Sequence, residues 1–160
     1  MQYRVRDAIE TEDEVYRITE ICRLVLLESP TYAHMAFDKE KSANCVHGAI
    51  VGLPNWFLRV IADESNNVVG GLLCYCEPSL WGPDKLAYDV TLMVDEEHRG
   101  RCLPELLQII REYKEWAIKE GARIIKMGVS SAINIDKADT FFHINGFERI
   151  GAMYGLRVGE

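Results

Sequence analysis

No apolar run in the 160-residue chain approaches the ~18 residues that a membrane span needs, so no transmembrane segment is expected. The opening stretch MQYRVRDAIETEDE has no apolar run after its basic residues, so a secretory signal is not expected either. Disulfide framework spacing is missing: the five cysteines, Cys22, Cys45, Cys74, Cys76 and Cys102, are an odd count at irregular intervals. Cys74 and Cys76 share one face of a strand, but no His/Cys cluster nearby completes a zinc site, so no metal is expected. Reduced thiols packed as small apolar residues in a reducing cytoplasm are the expectation. Positive charge is short as well, with 18 Lys and Arg against 25 Asp and Glu, a net −7. That balance argues against sequence-blind nucleic-acid binding, which relies on cations neutralising phosphates. Linkers, repeats and low-complexity tracts are also missing, and residues 1–160 read as one domain.

What is present is the make-up of an ordinary globular protein, 48% hydrophobic and 27% charged. Tyr3 to Arg6 reads as a short opening strand. Thr11 ahead of Glu12, Asp13 and Glu14 marks a helix start, and Val15, Ile18, Cys22 and Val25 recur at helical spacing to about Glu28. Pro30 stops that helix, Ser29 to Phe37 is a loop, and Asp38 caps a second helix reaching about Val51. Strands follow at Trp56–Ala62 and Val68–Tyr75, joined by a polar turn over residues 63–67. A third strand spans Leu86–Val94, with Tyr88, Val90, Leu92 and Val94 on one face. A strongly amphipathic helix begins at about Cys102, carried by Leu103, Leu106, Leu107, Ile110, Tyr113 and Ala117, with Trp116 as packing. Then come a strand at Arg123–Ser130, a short helix at Asp136–Ile144 closed by Asn145-Gly146, and two strands at Phe147–Ile150 and Ala152–Val158. The order β-α-α-β-β-β-α-β-α-β-β predicts a mixed α/β fold with a twisted sheet of six to seven strands and helices on both faces.

The informative segment is the turn Asp95–Gly100 between a strand and a helix. Such a turn aims backbone N–H groups and the positive end of the helix at one point, a seat for phosphate, with Arg99 and Arg101 as added cations. The segment VDEEHRGRCLPELLQ resembles the coenzyme-binding turn of the GNAT N-acetyltransferase superfamily, Val-x-Pro-x-x-Arg-Gly-x-Gly-x-Gly/Ala. Residues 138–147, ADTFFHINGF, resemble that family's Ala-x-x-Phe-Tyr-x-x-x-Gly-Phe signature. The phrases Glu28-Ser-Pro, Tyr88-Asp-Val-Thr-Leu-Met-Val94 and Lys126-Met-Gly-Val-Ser130 look most like phage and prophage members.

The resemblance implies a GNAT-like domain that binds acetyl-CoA and acetylates an amine in the cytoplasm, the host's if phage-encoded. It assigns the pantetheine arm to Leu92, Met93 and Val94, and the pyrophosphate to Arg99, Gly100, Arg101, Cys102 and Leu103. Asn134 and Lys137, at the entry to the short helix, are further coenzyme contacts, and Phe142 flanks the thiol end. Cys102 and Pro104 stand where the motif has glycines, and Phe142 replaces the tyrosine that often protonates the departing thiolate. A thiol of pKa near ~8.5 is already a fair leaving group, so that loss does not by itself abolish transfer.

Transfer needs a base to deprotonate the amine. Asp89 is the first candidate, with a strand carboxylate bonded to backbone as the alternative, and Glu28 is the second. Tyr154 and Tyr88 are candidates to replace the missing acid, unless they are packed tyrosines. His34 is a candidate proton shuttle or a solvated loop histidine, and His98 a candidate phosphate contact. Tyr32, His34, Phe37, Trp81 and Tyr88 form the expected acceptor side. Two other readings stay open: a non-catalytic coenzyme-binding or interaction module, and an acyltransferase acting on nucleic acid if Arg99, Arg101, Lys114 and Arg123 gather. A homodimer through the C-terminal strand stays open too.

Overall fold

The computed structural model describes residues 2–129 and 133–155. Strand β1 (Arg4–Arg6) leads into helices α1 (Glu12–Glu28) and α2 (Lys39–Ile50). Both helices start where a short polar side chain takes an orphan N–H: Thr11 accepts from Glu14, and Asp38 from Lys41 at 2.9 Å. Strands β2 (Trp56–Ala62), β3 (Val68–Pro78) and β4 (Lys85–Val94) follow as an antiparallel meander. Asp63 closes the β2–β3 turn by accepting the N–H groups of Ser65 and Asn67. After a short 3₁₀ turn, α3 (Leu103–Lys119) crosses to β5 (Ala122–Lys126), which pairs parallel to β4. Helix α4 (Ile135–Ile144) comes last.

The sheet runs β1-β2-β3-β4-β5 in space, and each face is covered. On one face α1 and α2 bury Val15, Ile18, Ile21, Val46 and Ala49 against Leu58, Val60, Leu73 and Met93. On the other, α3 buries Ile109, Ile110, Tyr113 and Ala117 against Phe57, Ile61, Leu72 and Cys74. The alternation along β2 sorts its side chains between these two cores, which is what period-two patterning requires. Trp116 packs on Phe57, with ring centroids 5.4 Å apart.

Two expectations are corrected. The sheet has five strands among the described residues, not six to seven: residues 147–155 pair with nothing as strands, and residues 156–158 of the last expected strand lie outside the described residues. Isolated alternation does not make a strand unless a partner edge takes its hydrogen bonds. Strand β5 likewise ends at Lys126, and Ser130, the expected last residue of that strand, lies outside the described residues.

The second correction concerns β4. Its pairing with β3 steps from Leu73↔Thr91 to Cys74↔Asp89, leaving Val90 as an extra residue in a bulge. A bulge reverses the side-chain alternation beyond it. Asp89 and Ala87 therefore share a face with Leu92 and Val94, and Tyr88 lies on the opposite face, stacked on Tyr75 at 5.2 Å.

Candidate functional site

Strands β4 and β5 pair only from Lys85 to Tyr88, so β4 parts from its parallel neighbour at Asp89, just where the bulge lies. A cleft of about 770 Å³ opens there, within the range of small-molecule sites. One wall is α1 and α2, with Cys22, Val25, Leu26 and Cys45. The loop between those helices adds Ser29, Tyr32 and Phe37. The floor is β4 from Asp89 to Leu92 with Val94, and the far wall is α3's first turns and α4, with Leu103, Lys137 and Phe142.

Among the described residues, Asp89 is the one carboxylate lining this cleft. Burial raises its pKa to about 6 against the opposing pull of hydrogen bonds from the backbone N–H of Gly128 and from its own N–H. It thus sits near the range a general base needs at neutral pH. Gly128, beyond the end of β5, was missed by sequence reasoning, because its part in the site is a backbone N–H presented across the split. Burial also raises Cys22, with the neighbouring Cys45 adding to it, to about 12, so that thiol stays neutral in the cleft wall.

At the other end, Gly100 adopts φ 77°, the left-handed region glycine tolerates best, and an added Cβ there meets open space. The backbone N–H groups of Gly100, Leu103 and Glu105 find no acceptor among the described residues, at the positive end of a 17-residue helix. Arg101 is exposed and makes no ion pair among the described residues. These features suit a phosphate-bearing coenzyme. Pro104 falls in the helix's first turn, where its missing N–H costs no helical bond. Cys102 is fully buried, its Sγ turned to the carbonyl of His98, so its side chain does not occupy the surface of the turn. One opposing charge is present: Glu105 Oε2 is buried without a hydrogen-bond partner in the same turn.

Arg99 lines the cleft, but its guanidinium is engaged. Nε donates to the Val94 carbonyl at 2.9 Å, and both terminal nitrogens donate to the Glu28 carboxylate. Glu28 is therefore half of an ion pair at the rim. Burial lowers the pKa of Arg99, but its bonding to Glu28 outweighs this and raises it overall.

Of the expected residues, the structure gathers Asp89, Leu92, Val94, Arg99, Leu103, Asn134, Lys137, Phe142, Tyr32 and Phe37 around the cleft. Met93 is buried in the opposite core against α1. Tyr88 faces away, Trp81 is 91% exposed and Tyr154 94% exposed, and none of the three lines the cleft. His34 is exposed and outside it. His98 bonds the Tyr3 hydroxyl at 3.0 Å through Nδ1. Asn134 caps α4 with φ 49°, and its side chain accepts no cap hydrogen bond. The four cations weighed for nucleic acid do not form a free patch: Arg99 is paired with Glu28, Lys114 donates to the Asn145 carbonyl, and Arg123 lies 3.7 Å from Asp84. Among the described residues no helix is long and apolar enough to cross a membrane.

No protein-family model and no curated protein sequence matches the chain. Solved structures do share its fold. Glucosamine-6-phosphate N-acetyltransferase from Arabidopsis thaliana superposes with a TM-score of 0.71 at 12% identity, over 99% of this chain and 100% of that one. An aminoglycoside acetyltransferase from an uncultured soil metagenomic sample gives 0.66 at 18%, over 99% and 100%. AAC(6')-Iy, solved with the bisubstrate analogue CoA-S-monomethyl-acetylneamine, gives 0.69 at 10%, over 99% of both chains. The chain thus shares the overall fold of these acetyltransferases.

Proposed function

We propose that this chain is an acetyl-CoA-dependent N-acetyltransferase of the GNAT type, acting on a primary amine by direct attack in a ternary complex in the cytoplasm. The observation that carries the reading is Asp89: a half-buried carboxylate with pKa about 6, the one that lines the cleft among the described residues, placed where β4 leaves β5. Bound acetyl-CoA would supply the acetyl group as a thioester, which an uncharged amine attacks without a covalent enzyme intermediate.

The chain's own residues divide the work. The free N–H groups of Gly100, Leu103 and Glu105, the positive end of α3, and the cations Arg101 and Lys137 receive the anionic end of the coenzyme. The unpaired edge of β4 around Leu92 offers backbone groups to the arm and to the developing oxyanion. Asp89, ionised above pH about 6, takes a proton from the amine. The walls hold both reactants together, which turns a bimolecular encounter into an intramolecular one. Phe142 lines the cleft and has no proton to give, so the thiolate leaves without a phenol from that position.

Calorimetric titration with acetyl-CoA, followed by thiol release over an amine panel, tests the reading. Saturable binding and amine-dependent release are expected. No binding at millimolar acetyl-CoA overturns it, and binding without release favours a non-catalytic coenzyme-binding module.

A further inference from the structure

The walls of the cleft differ in charge. Lys137 lies on α4, Arg99 lies in the turn before α3 and is paired with Glu28 at the end of α1, and Asp89 lies on β4; among the described residues, no cleft-lining residue of α1, α2 or the loop between them is charged. The surface there is Cys22, Val25, Leu26, Phe37, Cys45 and the ring of Tyr32. The polar groups among it are hydroxyls and thiols, and Ser29 Oγ is turned inward to the N–H groups of Thr31 and Tyr32. Cys22 Sγ lies 3.3 Å from Met93 Sδ, a sulfur contact that adds no charge to the wall. The chain's net −7 is thus not gathered where an acceptor would enter.

We infer that the acceptor is a monoamine on an apolar body, an alkyl or arylalkyl amine, seated with its carbon frame against α1 and α2 and its nitrogen at Asp89. This rests on the acetyltransferase reading above and narrows its substrate. An ammonium can be brought to Asp89, which then takes its proton. A second or third ammonium on the same molecule would enter an apolar wall with no free carboxylate among the described lining residues to meet it, Glu28 at the rim being paired with Arg99, a costly burial. Several sugar hydroxyls would likewise lose water without finding partners. The likeness in fold to aminoglycoside acetyltransferases therefore does not extend to a polycationic acceptor.

The test uses the full chain and three probes: acetyl-CoA, 2-phenylethylamine and the aminoglycoside sisomicin. Coenzyme affinity is measured first by calorimetry, and amine affinity is then measured with coenzyme A saturating and again without it. The expected result is saturable 2-phenylethylamine binding at least 10-fold tighter than that of sisomicin and of methylamine, which lacks the apolar body. Val25→Asp, which puts a carboxylate in the apolar wall, is expected to weaken 2-phenylethylamine at least 10-fold and leave acetyl-CoA affinity unchanged. Tighter binding of sisomicin overturns the inference and leaves the acetyltransferase reading standing, as does 2-phenylethylamine binding no tighter than methylamine. Binding of 2-phenylethylamine without any acetyl-CoA binding overturns the acetyltransferase reading and leaves an apolar-amine cleft. Absence of binding by every amine overturns the inference whatever the coenzyme does.

Discussion

Arg99 and Glu28 tie the end of α1 to the turn that opens α3, with Arg99 Nη2 donating to Glu28 Oε1 at 2.9 Å across 71 residues of sequence. The same guanidinium holds the Val94 carbonyl, so a single side chain links the first helix, the end of β4 and the turn before α3. Its cation is therefore shared between a structural clamp and any anion that binds there.

The two roles separate by substitution. Arg99→Ala loses both and is expected to weaken acetyl-CoA by about 1–3 kcal/mol, as for a charged hydrogen bond. Its stability cost is smaller, about 1 kcal/mol, because the pair is about a third exposed and water screens it. Glu28→Gln keeps the side chain's shape and releases the cation, so coenzyme affinity is expected to hold or rise. Turnover should persist in Glu28→Gln if Glu28 is a clamp. A loss beyond 100-fold with unchanged coenzyme affinity would instead make Glu28 the base. Calorimetry and thiol-release kinetics on the two variants read both quantities.

Asp89→Asn is expected to move stability and activity in opposite directions. The folded protein holds the Asp89 carboxyl at about 6, above its ordinary 3.8, so ionising it disfavours the fold. That difference corresponds to about 3 kcal/mol at neutral pH. The amide keeps an oxygen for the Gly128 N–H and never ionises, so urea unfolding at pH 8 should show the variant more stable, by up to that amount. Turnover should fall about 10²–10⁴-fold, the usual contribution of a base. A variant that is less stable and fully active would show a purely structural carboxylate.

The pH dependence of the native chain follows from the same shift. A raised folded pKa means that Asp89's favourable contribution to stability is fully present below pH 3.8 and is lost as pH rises through about 6. The stability gap between Asp89→Asn and the native chain should therefore open between pH 4 and 6 and stay level above. Activity runs the other way: kcat/KM should climb with pH to a shoulder near 6, as the base becomes ionised. A flat profile from pH 5 to 8 would remove Asp89 from proton transfer.

The legible parts of this chain were those that depend on near neighbours. Thr11 and Asp38 mark α1 and α2 because a capping side chain bonds an N–H three residues away. The basic turn and the start of α3 could be read for the same reason. The bulge at Val90 could not, because it exists only in relation to β3, and it decides that Asp89 shares the sheet face of Leu92 and Val94 while Tyr88 takes the other. The expected strands after Gly146 failed for a related reason: alternation at residues 147–155 supplies side chains for a face but no edge to pair with. The cleft wall formed by α1 and α2 was hidden differently. Cys22, Val25 and Cys45 obey the same helical spacing as Ile18 and Ile21, so a cleft lining and a buried core carry one signature in sequence.

Gly100 tests whether the turn's shape or its charge matters more. Its φ of 77° lies in the region that costs a Cβ-bearing residue about 1–2 kcal/mol, and no neighbouring atom obstructs the added methyl. Gly100→Ala is therefore expected to lower stability by that strain alone, measurable by urea unfolding. If the chain relieves the strain by turning its peptide away, the free Gly100 N–H leaves the anion seat and acetyl-CoA affinity drops with it. Gly100→Asn, which tolerates the left-handed region better, should recover part of both losses. Equal stability and equal affinity in Gly100→Ala would mean that the turn does not need its left-handed residue and that Arg101 and the α3 terminus alone hold the coenzyme.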